Sequence, residues 1–97
     1  MAPVETQHGI VVRGKNPLPC PLADLHAAVF SLVEGFGDVA ASGSDERGWH
    51  LDLTFDSPHC FTSVIDAVRQ ALTKLGYDLH SATVLVRGKR RRFVDVF

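Results

Sequence analysis

Phe61, Val64, Ile65, Val68, Leu72 and Leu75 stand at offsets of 3, 4, 7, 11 and 14 from the first of them, an apolar stripe at helical period. A stripe of this length predicts a helix over 61–75 lying on an apolar surface. Asp56 and Ser57 are plausible caps ahead of it, Pro58 suits a helix entry, and Gly76 is the expected stop. The arrangement recurs over 22–36, where Leu22, Leu25, His26, Val29, Val33 and Phe36 line one face and Gly37 ends the run. The two copies are offset by about 39 residues, a spacing that also pairs Pro19 with Pro58 and Ser42 with Ser81.

Around these helices the expected strands are 8–13, 39–42, 49–55, 79–87 and 92–97. The third carries the clearest pattern. Trp49, Leu51, Leu53 and Phe55 alternate with His50, Asp52 and Thr54, as in a strand with one buried and one open face. Polar, glycine-containing segments at 43–48 and 88–91 predict turns between antiparallel neighbours. The order is therefore β-α-β-β-α-β with one further strand: an α+β, ferredoxin-like sandwich with two helices on one face of an antiparallel sheet. At 97 residues the chain has room for a single domain, 1–97.

Composition narrows the class further. An apolar fraction of 45% and a charged fraction of 22% are those of a globular protein, which excludes wholesale disorder and fibrous repeats. A formal charge of −1 removes any global attraction to nucleic acid, leaving only local patches to consider. No apolar run approaches the roughly 18 residues of a membrane span, and the start MAPVETQHG lacks the features of a secretory signal. A cytoplasmic location is expected, without membrane partners. Two cysteines without CxxC spacing make no disulfide framework.

Leu75-Gly76 leads from the second helix into Leu79-His80-Ser81-Ala82, and the chain closes on Val94-Asp95-Val96-Phe97. These segments resemble the ACT domain, a small ligand-sensing module of amino-acid metabolism, over about half the chain. The resemblance implies a non-catalytic, ACT-like regulatory domain that binds an amino acid or similar small carboxylate at a homodimer interface. By the same resemblance, Asp56, Ser57, Pro58, His59 and Cys60 form the ligand loop, with His59 where the family has glycine. Leu79 and His80 of a partner subunit would complete the pocket. The family pattern continues with a helix and strand beyond Phe97, which the N-terminal half would supply by permutation or subunit exchange. A terminal strand over 93–97 with a free apolar edge independently favours a homodimer.

Other residues carry competing chemistry. The loops 14–21 and 56–60 are expected side by side, bringing Cys20, His59 and Cys60 to one edge. Two thiols and an imidazole suit a soft metal, but a closed zinc site needs four ligands, so no metal is assigned. The helix starts at these loops also offer backbone N–H groups to an anion. His50 and Asp52 share the open face and could support acid-base chemistry given a pocket, as in a small cofactor-free dimeric enzyme that uses His50 or His59. His26 reads as a boundary histidine with a local partner. Arg87, Lys89, Arg90, Arg91 and Arg92 form a basic hairpin able to meet phosphates of nucleic acid or another anionic partner, or to protect a sheet edge. Val12-Arg13-Gly14-Lys15 is similar to the start of an acylphosphatase phosphate loop, but the glycine pattern and arginine that should follow are missing. No cofactor motif is present.

Overall fold

A computed structural model describes residues 8–15 and 18–96. It is an α+β structure with strands β1 (His8–Lys15), β2 (Gly37–Ser44), β3 (Gly48–Phe55), β4 (Ala82–Val86) and β5 (Lys89–Arg92), and helices α1 (Leu22–Val33) and α2 (Phe61–Lys74). The strands form one antiparallel sheet in the order β2-β3-β1-β4-β5. Both β1 and β2 run against β3, so they are parallel to each other, and parallel strands need a long crossover. Helix α1 is that crossover, and α2 does the same between β3 and β4. The arrangement is compatible with the expected ferredoxin-like sandwich; a further strand was expected, and as β5 it extends the sheet beyond the four-stranded ferredoxin order, at Lys89–Arg92 instead of 92–97.

The stripes and alternations decide the core. Leu25, Val29 and Val33 of α1 and Val64, Ile65, Val68 and Leu72 of α2 are buried against Ile10, Val12, Leu51, Leu53 and Val84 of the sheet. Along β3, burial alternates at every residue, with Trp49, Leu51, Leu53 and Phe55 inside and His50, Asp52 and Thr54 half-buried on the other face. A bulge between Val39 and Ala41 on β2 keeps Val39 and Ser42 facing the helices while Ala41 lies opposite Asp52. Ser42 Oγ there meets His26 Nδ1 at 2.9 Å, which gives this boundary histidine its local partner.

Three boundaries differ from the sequence expectation. Helix α1 stops at Gly35, whose φ is +104°, and Gly37 opens β2 instead. Helix α2 does end at Gly76 (φ +82°), where Gly76 N–H donates to Thr73 and Tyr77 N–H to Leu72, a Schellman closure. The 39-residue offset thus holds for the helix bodies but not their C-termini. Second, β4 starts at Ala82, because Leu79–Ser81 forms a 3-10 turn with Asp78 accepting from His80 N–H at 3.0 Å.

The third difference is at the C-terminus. The hairpin turn is only Arg87-Gly88, with φ of 53° and 81°, the positive pair of a two-residue turn matched to strand twist. Strand β5 therefore begins at Lys89 and is the basic segment itself, exposed at all four residues. The expected strand 92–97 is replaced by a 3-10 turn at Phe93–Asp95, and Phe93 is fully buried. Burying one large ring gains more than leaving an apolar strand at a sheet edge. Among the described residues, the free apolar edge invoked for a homodimer is not formed; Phe97 lies outside them.

Candidate functional site

The two ends of the sheet hold different chemistry, and strand direction determines what meets where. His8 pairs with Phe55, while Lys15 pairs with Gly48. The loop after β1 therefore leaves from the end of the sheet opposite to the loop after β3. This corrects the expectation that loops 14–21 and 56–60 lie together: antiparallel neighbours put their C-termini at opposite ends. Cys20 is separated from His59 and Cys60 by the length of the sheet; residues 16–17 of its loop lie outside the described residues. Among the described residues, no group of three His, Cys, Asp or Glu side chains could hold a metal. Burial and Asp24 also push the Cys20 thiol up, away from the thiolate a soft metal takes.

The same register divides the ligand residues implied by the family resemblance. Asp56 to Cys60 follow β3 at the Phe55 end, whereas Leu79 and His80 precede β4 at the Trp49 end. Seven strand steps separate these ends, about 23 Å at the usual rise. A pocket using both groups therefore needs a second copy of the chain.

The loop 56–60 is itself closed. Ser57 Oγ accepts from His59 N–H at 3.2 Å and Ser57 O from Cys60 N–H at 2.9 Å. Asp56 N–H donates to Phe36 O at 3.2 Å, Phe61 N–H donates to Pro58 O, and Pro58 has no N–H. Ser57 is the cap expected from sequence, but it caps a 3-10 turn at Pro58–Cys60 that precedes α2. Few donors are left for a carboxylate, and His59 is exposed.

Beside this loop a cleft of about 530 Å³ opens between the starts of β1 and α2 and the ends of β3 and β4. Ile10, Phe55, Phe61 and Val86 give it apolar walls, Pro58 closes one side, and His8 and Arg87 supply polar groups. The His8 ring stacks on Phe55 with centroids 5.8 Å apart, and Phe55 meets Phe61 at 6.3 Å. Arg87 is placed by the turn, since its positive φ carries the chain from β4 into β5 while leaving the side chain beside the cleft. Of the residues expected to bind ligand, Pro58 alone lines this space. His8, Phe61 and Arg87 were not foreseen as a group. Arg87 was visible as part of the basic hairpin and Phe61 as part of the helical stripe, but only the register unites them.

The open face of the sheet holds the other candidates. His50 and Asp52 lie there as the alternation predicts, but among the described residues no hydrogen bond joins them. The His50 ring leans instead over Gly43, where an added Cβ would come within 2.8 Å of the imidazole. His80 is largely exposed beside Asp78, its Nδ1 3.3 Å from the carboxylate. The bond from His80 N–H, assisted by that ring contact, holds the Asp78 carboxyl below its usual range. Within the described residues, no helix is long and apolar enough to cross a membrane. Compared with known proteins, the chain matches no family model, no curated protein and no solved structure.

Proposed function

We propose that this chain is a non-catalytic, ferredoxin-like binding domain of ACT-like regulatory type, whose ligand is a small carboxylate with an apolar or aromatic side chain, such as an apolar amino acid. The observation that carries this reading is the cleft at the Phe55 end, with apolar walls and Arg87 at its rim. Apolar concavities with a few convergent polar groups are the usual form of small-molecule sites. A guanidinium recognises a carboxylate through two parallel N–H bonds, and the His8–Phe55 stack offers a flat apolar neighbour for the ligand's side chain. Because the loop 56–60 has already used most of its N–H groups, Arg87 takes the anion-binding part that sequence reasoning gave to the loop backbone.

The test is a thermal-shift titration with the common amino acids and the Arg87→Gly variant. Glycine accepts the positive φ at this position without strain, so the variant retains the turn and removes the guanidinium. A ligand at a hundred times its Kd stabilises the native state by about 2.7 kcal/mol, a rise in Tm of about 10–20 °C for a domain of this size. The reading requires one or a few apolar amino acids to raise Tm saturably, and Arg87→Gly to fold but lose the response. An undiminished response in the variant would remove Arg87 from the site.

A further inference from the structure

All but Arg69 and Lys74 of the ten Lys and Arg residues lie on β1, the β2–β3 turn or the β4–β5 hairpin. A chain with a formal charge of −1 thus concentrates its positive charge on one part of the sheet. The register arranges this charge on the open face, away from the helices. Arg13 lies opposite His50 on β3 and Thr83 on β4, and Thr83 lies opposite Arg92 on β5. This row crosses three strand spacings, about 14 Å. Arg13, Lys15, Arg47 and Arg90, together with the hydroxyl residues Ser81 and Thr83, line a shallow depression of about 420 Å³ at the Trp49 end.

Among the described residues, Arg13 and Arg90 form no ion pair. Arg92 does, with Asp95 at 3.0 Å, so it is not counted as a free cation. One carboxylate, Asp45, stands at the rim, and its Oδ1 accepts from Arg47 N–H at 2.8 Å and Gly48 N–H at 3.2 Å. Four cations with two hydroxyl residues and one internally bonded carboxylate form a surface complementary to several phosphates. Val11, Leu85, Thr54 and Asp52 fill other positions on this face; of the two ring residues that line the depression, Trp49 is a core residue only 2% exposed, which leaves His50 as the ring presented to this face. Base stacking, the usual source of affinity for unstacked bases, is therefore nearly absent.

We propose that the open face at β1, β4 and β5 binds the phosphate backbone of single-stranded nucleic acid, without reading its bases. The spread of Arg13, Lys15, Arg47 and Arg90 over β1, the β2–β3 turn and β5 favours a polymer over one phosphate group, and the scarcity of exposed rings favours backbone contact over base recognition. This surface is separate from the Arg87 cleft, and neither reading depends on the other.

The probe is a fluorescein-labelled oligo(dT) of about 20 nucleotides, a length that exceeds the sites of single-strand binding domains, followed by anisotropy with the full chain. Four phosphate contacts to a single strand give a salt slope of about −2.8, a loss of roughly fifty-fold in affinity between 50 and 200 mM salt. In Arg13→Ala/Arg90→Ala, two contacts remain and the loss over the same range falls to about seven-fold. Arg69→Ala/Lys74→Ala removes equal charge from α2 and retains the full salt dependence. Circular dichroism establishes that both variants fold. The proposal is overturned if the wild-type chain does not bind, or if both double variants lose affinity equally. Displacement of the probe by ATP or polyglutamate as readily as by unlabelled oligo(dT) would also overturn it, in favour of a nucleotide or an acidic peptide.

Discussion

Replacing Phe93 by alanine separates the observed C-terminus from the edge strand that its sequence suggests. The ring is fully buried and belongs to the same core cluster as Leu25, Val68 and Val84. Removing a buried phenyl group costs the transfer energy of its atoms and leaves a cavity, about 3–5 kcal/mol in all. Domains of this size have about 5–15 kcal/mol in total, so the variant stands close to the limit of folding. The assay is urea denaturation followed by the single tryptophan, Trp49, which is 2% exposed and reports loss of the core. The unfolding free energy should fall by about 3–5 kcal/mol with an unchanged m-value. The neighbouring Val94→Ala, at a half-buried position, should cost less than about 1 kcal/mol. Equal small losses in both variants, below about 1 kcal/mol, would refute the burial of Phe93 and restore a solvent-facing strand.

Other outcomes follow from the same contacts. A Cβ at Gly14 would stand 2.3 Å from the Trp49 ring and 2.6 Å from Tyr77 Oη. Gly14→Ala should therefore destabilise by about 1–3 kcal/mol, the usual cost of overpacking, and shift the Trp49 emission of the folded state. Asp45, Asp66 and Asp78 are each held below the ordinary carboxylate value of 3.8, first by Arg47 N–H, the Arg69 side chain and His80 N–H respectively. Their stabilisation is present above pH 3.8 and is lost as pH falls through the lower folded values, so melting temperature should decline below about pH 4. Burial raises the Tyr77 phenol above 10.0; the neutral ring's advantage is present below pH 10 and is lost as pH rises through the folded value, giving an alkaline decline in the same scan. Equimolar zinc should leave Tm unchanged, because Cys20 and Cys60 are at opposite ends; a saturable rise of several degrees would contradict their separation.

How much of this was legible varies with the physics of each element. The helices were readable because Leu25, Val29 and Val33, and likewise Val64, Val68 and Leu72, repeat at a period no strand shares. Strand β3 was readable because its alternation is complete. The C-terminus was misjudged because Phe93, Val94 and Val96 fit a strand pattern equally well, and only the space beneath β4 decides that Phe93 turns inward. The basic run 89–92 resembled a turn because nothing in it is apolar, although an edge strand tolerates charge on both faces. Placement of the sites depended on register. Alternation with Val12 puts Arg13 on the open face, yet its junction with Thr83 and Arg90 follows from pairings between strands distant in sequence. The loop 56–60 shows the opposite case: its position was foreseen, but the hydrogen bonds that close it were not.

The most direct test of the ligand-binding claim is a ¹H–¹⁵N correlation titration of the wild-type chain with the apolar amino acids. The account predicts saturable shifts confined to residues around the cleft, notably Gly9, Ile10, Phe61 and Arg87, with Leu79 and His80 unmoved. Shifts centred on His59, Leu79 and His80, or no saturable shift with any of these ligands, would contradict it.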